Sequence, residues 1–148
     1  MNRAGFTLVE TLIAMAIIAS VTAMAFPKVK DSVLKEAARG ARRAVTTEVT
    51  RARAAAATRG CPSVLHFQGG SDSRVWVTSC ATNGAAVDTI GSVESLSQRY
   101  QVSMATSVDS IVFAPTGLAV ADSWADLTFT RADFDTDLRI SPVGTPVW

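Results

Sequence analysis

The chain of 148 residues is poor in the side chains that usually carry enzymatic chemistry. It has one histidine, His66, and two cysteines, Cys61 and Cys80. No Cys–His or Ser–His arrangement can be built around that histidine, and the cysteines are too far apart for a zinc site. P-loop and Gly-x-Gly-x-x-Gly patterns are absent as well. The sequence therefore predicts neither an enzyme nor a bound cofactor.

Charged residues make up only 18% of the chain, and no long block of like charge forms a tail. The net charge of +1 hides an asymmetry. Residues 28–59 carry nine Lys/Arg and three Asp/Glu, whereas residues 60–148 carry four Lys/Arg and nine Asp/Glu. A basic segment joined to an acidic one indicates a protein suited to contact with copies of itself or with similar chains.

The longest apolar run, Phe6–Phe26, contains one ionisable residue, Glu10. At about 1.5 Å per residue, a helix of this length crosses a hydrocarbon core of about 30 Å. No A-x-A-like cleavage site follows it, so ordinary signal peptidase processing is not expected. A plain signal anchor and a buried core helix are the alternatives, although the rest of the chain is too small to surround such a helix.

Glu10 needs a partner, because a carboxylate within a membrane costs about 2–3 kcal/mol or more. No Lys, Arg or His lies within one helical turn of it. Cleavage after Gly5 would place a new α-amine on Phe6, four residues before Glu10 and on the same helix face. In a bundle, the amine of one chain could instead meet the carboxylate of the next and set their register.

The segment Gly5–Glu10, with its short basic leader, its apolar run and Pro27, resembles the class III signal of type IV pilins and type II secretion pseudopilins. The resemblance implies a leader at residues 1–5, cleaved between Gly5 and Phe6 by a prepilin peptidase, and N-methylation of Phe6. It makes residues 6–27 the transmembrane and assembly helix, with Glu10 as the assembly carboxylate. The implied partners are other pilin or pseudopilin subunits and an inner-membrane assembly platform. The implied location is the bacterial inner membrane, with a periplasmic head, and then the pilus or pseudopilus.

Residues 28–60 predict an amphipathic neck helix, with a kink at Pro27 because proline lacks the N–H that a helix interior needs. Gly40 weakens this helix by about 1 kcal/mol relative to Ala. The helix ends at Gly60, two residues before Pro62, which cannot continue it. Its mostly small apolar residues recur every three or four positions and form a stripe that a β-sheet could cover: Leu34, Ala38, Ala41, Val45, Val49, Ala52 and Ala56.

In the head, residues 61–148, the apolar period changes to two and predicts strands. A hairpin joins residues 63–67 to residues 74–79. Centred on Gly70-Ser71, it places Cys61 opposite Cys80, within reach of a disulfide; two free thiols are the alternative. Residues 81–98 read as a connection with one short strand at Val87–Ile90. Further strands are expected at 100–104, 110–113, 127–130 and 138–141, with a loop at 132–137 and an edge strand at 144–148.

The predicted fold is α+β, a long N-terminal helix packed on a small antiparallel β-sheet head. Phe113-x-Pro115-x-Gly117, the closing strands and a turn at Gly144 are similar to the GspH/FimT family of minor pseudopilins and minor pilins. That resemblance implies a structural minor subunit of a secretion pseudopilus or of a type IV pilus. A DNA-binding minor pilin for DNA uptake is the alternative.

The sequence contains two weaker candidate sites, one for calcium and one for DNA. Asp133-x-Asp135-x-Asp137 resembles the start of a calcium loop but lacks the glycine and the last carboxylate of one, so an acidic turn is the favoured interpretation and no metal is expected. DNA binding needs clustered cations, and residues 122–148 have only two arginines against five aspartates. The remaining DNA-binding candidates are on the neck helix: Arg39, Arg42, Arg43 and Arg53.

Overall fold

The computed structural model describes residues 7–81 and 87–147, apart from the side chain of Pro27. The first helix, α1, runs without interruption from Leu8 to Arg59. Its first turn is capped by Thr7, whose carbonyl and hydroxyl oxygens accept from the Glu10 amide at 3.1 and 3.3 Å. The helix continues through position 27. The kink that the sequence predicts at Pro27 stays a prediction. The contacts between residues divide the chain into two compact units, of which the first ends at Leu34 and the second begins at Lys35.

The second unit contains the predicted antiparallel β-structure, which is divided between two sheets. The five-stranded sheet has the order β3-β2-β1-β5-β6 and the four-stranded sheet the order β4-β7-β8-β9. The α+β class is confirmed. The elements after α1 are β1 Ser63–Gln68, β2 Arg74–Cys80, β3 Val87–Ser95, α2 Leu96–Tyr100, β4 Ser103–Thr106, β5 Ser110–Phe113, β6 Ala119–Val120, β7 Ala125–Arg131, β8 Phe134–Ile140 and β9 Pro146–Val147.

The apolar stripe of α1 packs into the core of the second unit. From Ala38 onward every residue of the predicted stripe is buried, whereas Leu34 is half-buried. The small side chains bring the helix close to the sheets, whose inward residues fill the core. The largest fully buried side chains from the sheets are Leu65, Val75, Val77, Met104, Phe113, Leu127, Phe129, Leu138 and Ile140.

Three predicted elements differ from the structure. Residues 96–100 form the short helix α2, so Tyr100 ends a helix and does not begin a strand. Strand β3 extends to Ser95, although the connection between residues 81 and 98 was expected to be mostly irregular. Strand β8 begins at Phe134, so the predicted loop at 132–137 shrinks to a turn in which Ala132 has a φ of 52°. Part of the first connection, residues 82–86, lies outside the described residues.

The β1–β2 hairpin forms as predicted, but its register is shifted by one residue. Gln68 pairs with Arg74, so five residues make the turn and Ser63 lies opposite Ser79. The turn is held by the Gly70 amide, which donates to the Met104 carbonyl at 2.8 Å. Cys61 lies outside the ladder, just before β1, and is joined to Cys80 by a disulfide with a Cα–Cα distance of 6.3 Å. The bridge therefore ties the end of α1 to the end of β2.

Candidate assembly surface

The first half of α1 exposes nearly all of its apolar side chains. Among the described residues it provides one helix that is long and apolar enough to cross a membrane, and none of that apolar window is buried. Core residues of a soluble domain would be covered, so this surface is available to lipid or to other chains. The exposed large side chains are Leu8, Val9, Leu12, Ile13, Met15, Ile17, Ile18, Val21, Met24, Phe26, Val29 and Val33.

Glu10 lies in the first turn of α1, on this exposed apolar surface. An acidic residue near a helix N-terminus is favoured by the helix dipole. Within residues 7–81 and 87–147, the structure gives its carboxylate no hydrogen bond and no ion pair. Gly5 and Phe6, the predicted cleavage and methylation residues, lie outside the described residues. The predicted pairing of Glu10 with a Phe6 amine therefore stays a prediction.

The four candidate DNA-binding arginines do not form a free basic cluster. Arg53 donates to the Gly144 carbonyl at 2.9 Å, and Arg42 donates to the Thr136 hydroxyl at 3.4 Å. Arg43 pairs with Glu36 at 2.9 Å on the exposed side of the helix, and Arg39 is exposed. Two of the four side chains thus contact the strands and turns of the head, where they bind helix to sheet.

The aspartates of the weak calcium candidate are spread along a hairpin. Asp133 lies in the β7–β8 turn, whereas Asp135 and Asp137 are exposed on β8. Asp137 accepts a hydrogen bond from the Thr128 hydroxyl at 2.8 Å, across the strand pair. In the part of the chain that the structure describes, no three His, Cys, Asp or Glu side chains form a group that could hold a metal ion.

His66 is on the outer face of β1 and stacks on Trp76, with ring centroids 5.1 Å apart. Its Nε2 lies 2.8 Å from the Thr78 hydroxyl oxygen. Partial burial lowers the pKa of this imidazole. The histidine is thus packed within the outer face of the sheet, and the cysteines that could have formed a thiolate are bridged.

A charged cleft of about 290 Å³ lies beside the neck helix and was not predicted from the sequence. Its walls are α1, the end of β3 and α2, and its charged lining alternates in sign: Glu48 and Arg51 from α1, Glu94 from β3 and Arg99 from α2. Burial raises the pKa of Glu48, partly opposed by Arg51, and Glu94 raises it further. A signal was present, because Glu48 follows Val45 by three positions and precedes Ala52 by four, which places it on the buried stripe.

Two comparisons found proteins similar to this chain, one in its N-terminal segment and one over most of its length. The family model described as the prokaryotic N-terminal methylation motif matches residues 1–26. None of the curated proteins matches the chain. The crystal structure of the type IV minor pilin FimU of Pseudomonas aeruginosa is similar, with a TM-score of 0.56 at 14% identity, over 82% of this chain and 91% of that one. A second crystal form of FimU gives a TM-score of 0.47 at 13% identity, over 79% and 90%.

The motif match and the fold match cover different shares of the molecule. The motif lies in the apolar N-terminal segment and fits a membrane-anchored chain, whereas most of the aligned fold lies after it. The chain therefore carries a prokaryotic N-terminal methylation motif and has a fold similar to that of the type IV minor pilin FimU.

Proposed function

We propose that this chain is a structural minor subunit of a type IV pilus or of a type II secretion pseudopilus. The observation that carries the proposal is the exposed apolar half of α1, which coincides with the methylation motif. A surface of this size is unfavourable in water, so the chain needs lipid before assembly and other helices afterwards. The function is structural rather than enzymatic.

In this proposal a prepilin peptidase cleaves between Gly5 and Phe6, and the new amine on Phe6 is methylated. The amine then compensates the Glu10 carboxylate, on the same chain or on a neighbouring one. Residues 6–27 act as the transmembrane and assembly helix, residues 28–60 as the neck and residues 61–148 as the periplasmic head. The assembly platform and other pilin or pseudopilin subunits are the partners.

Intact-mass analysis tests the processing step. We expect the chain from cells that contain prepilin peptidase to lack Met1–Gly5 and to carry one added methyl group. Cells that lack the peptidase should give the full-length, unmethylated chain. Equal, unprocessed masses from the two strains would contradict the proposal. A Gly5→Leu variant is the matched control, since it should stay unprocessed in both strains.

DNA uptake is the second candidate function, and the structure gives it less support. Arg42 and Arg53 are engaged with the head, and Arg39 and Arg43 remain as exposed cations. Electrostatic DNA binding weakens steeply as salt rises. A mobility-shift assay at low salt, with Arg39→Ala and Arg43→Ala together, would support uptake if a salt-sensitive shift were lost in the variant.

A further inference from the structure

The junction between α1 and the β1–β2 hairpin contains Cys61 and Cys80 and is held by contacts other than their disulfide. The Ser63 hydroxyl donates to the Ala52 carbonyl at 2.6 Å, and Ser63 is completely buried. A buried hydroxyl that loses such a partner is costly, so this bond fixes the start of β1 against α1. The position of Cys61, two residues earlier, is therefore set by the fold around it.

A second contact crosses the hairpin beside the disulfide. Ser79 lies opposite Ser63 in the β1–β2 ladder and is 3% exposed. Its hydroxyl donates to the Pro62 carbonyl at 3.3 Å and lies 3.4 Å from Sγ of Cys61. Because Ser79 is buried, water does not compete strongly for these contacts. The residue before Cys80 is thus held against the residue after Cys61.

Arg59, the last residue of α1, holds the junction on the Cys80 side. Its Nη1 donates to the Cys80 carbonyl at 2.5 Å. The same guanidinium pairs with the Asp88 carboxylate at 3.3 Å, and Asp88 lies on β3 opposite Ser79. Hydrogen bonds from a charged donor are stronger than those between neutral groups, and the guanidinium has donors for both partners. One side chain therefore fastens the end of α1 to β2 and β3, directly at Cys80.

We propose that Arg59 is a positioning residue for the Cys61–Cys80 disulfide, and that this disulfide closes a junction that has already folded. The contacts described above hold the two thiols together before a bond joins them, so closure costs little chain entropy. In the closing step the two thiols lose two protons and two electrons, which convert the disulfide of an oxidant into two thiols. Both cysteines are half-buried, so an oxidant reaches them. This inference does not depend on the assembly function.

The first experiment asks whether the junction folds before the disulfide closes. The full chain in detergent micelles is reduced with dithiothreitol, and thermal melting is followed by circular dichroism. We expect the reduced chain to keep a cooperative melt, at a lower temperature than the oxidised chain. Oxidised glutathione, added after removal of the reductant, should restore the disulfide without changing the spectrum. Loss of the cooperative melt on reduction would overturn the proposed order of folding and closure.

The second experiment measures the reduction potential of the disulfide, which a purely structural role of Arg59 would not change. The unchanged protein and Arg59→Met are equilibrated at pH 7 in buffers with different ratios of reduced to oxidised glutathione. Free thiols are then alkylated and the chains are weighed. The chain has two cysteines, so the added mass reports on this pair alone. We expect Arg59→Met to lower the equilibrium constant for closure about tenfold, which raises the reduction potential by about 30 mV.

Arg74→Met is the matched control, because Arg74 begins β2, whereas Cys80 ends it, and pairs with Asp72 at 2.6 Å. We expect its reduction potential to equal that of the unchanged protein. Asp88→Asn is a milder variant that keeps the bond from Arg59 to Cys80, and it should raise the potential by a smaller amount. An unchanged potential in Arg59→Met, or in Asp88→Asn where Arg59→Met does not fold, would overturn the positioning role. Equal shifts in the two arginine variants would overturn it as well.

Discussion

The Arg53 side chain donates from Nη2 to the carbonyl oxygen of Gly144, at 2.9 Å, and so joins the neck helix to the last turn of the head. Gly144 has a φ of 86°, and a Cβ there would lie 2.6 Å from Cε1 of Phe113. A Cβ on Gly117 would lie 3.2 Å from Cγ of Arg53. The separate motif residues Phe113, Gly117 and Gly144 therefore belong to one packing arrangement around Arg53.

Replacement of Gly144 tests this arrangement. Gly144→Ala introduces both the overlap with Phe113 and a left-handed backbone for a residue with a Cβ. We expect a loss of about 2–4 kcal/mol in the free energy of unfolding, measured by urea denaturation in detergent. Gly60→Ala is the control, because Gly60 has a φ of 65° with nothing within 4 Å of its Cβ position. Equal losses in the two variants would show that backbone strain, and not the contact with Phe113, is the cause.

Helix α1 has a glycine at position 40, where the Tyr100 ring packs against it. A Cβ on Gly40 would lie 2.9 Å from Cε1 of the Tyr100 ring. In an exposed helix, Gly→Ala stabilises by about 1 kcal/mol, but here the overlap should cancel or reverse that gain. We expect Gly40→Ala to gain its stability only in a Tyr100→Ala background. A double-mutant cycle of unfolding free energies measures this, and additive effects would refute the contact.

The buried Glu48 should make the stability of the head depend on pH. Burial raises the pKa of Glu48 in the folded state above its ordinary value of 4.5. The folded state then binds more protons than the unfolded state between the two pKa values, so the stabilisation present below 4.5 is lost as pH rises through the folded pKa. We expect Glu48→Gln to remove this part of the pH dependence. The measurement is thermal melting of the unchanged protein and of Glu48→Gln, from below pH 4.5 to above the folded-state pKa of Glu48. Glu36→Gln is the control.

The Glu10→Gln variant tests whether the carboxylate is needed for assembly rather than for membrane insertion or processing. Glutamine keeps the size of the side chain and removes its charge, which lowers a membrane cost of about 2–3 kcal/mol. Loss of the charge also removes the attraction to a neighbouring amine. We expect normal cleavage and methylation by intact mass and a loss of the chain from sheared filament fractions. Filament recovery equal to that of the unchanged protein would show that the carboxylate is not the assembly group.

Long periodic segments were predictable, and short elements were not. The neck stripe repeats over several turns, so its burial from Ala38 to Ala56 followed from the spacing. Helix α2 has five residues, too few to show a helical period, and depends on a cap at Ser95 and on the buried Leu96. Strand β8 was shortened in the prediction because Asp135 and Asp137 disfavour strands locally, whereas the structure places both on an exposed face.

The candidate functional residues show the same contrast between local patterns, which could be predicted, and long-range arrangements, which could not. The Gly5, Phe6 and Glu10 pattern is local in sequence, so its chemistry could be predicted without a fold. The cleft required α1, β3 and α2 to come together, and no sequence spacing relates Glu48 to Glu94. Only the position of Glu48 on the buried stripe indicated that its carboxylate was unusual.

The uncovered apolar half of α1 has a consequence for how this protein can be measured. Melting of the chain reports on the core of the second unit, whose buried cluster extends from Ala41 to Ile140 among the described residues. Substitutions between Leu8 and Val33 should thus leave the melting temperature almost unchanged while altering how the chain partitions between detergent, bilayer and filament. Loss of function from such changes would pass unnoticed in a stability screen, and a partitioning assay is the measurement that detects it.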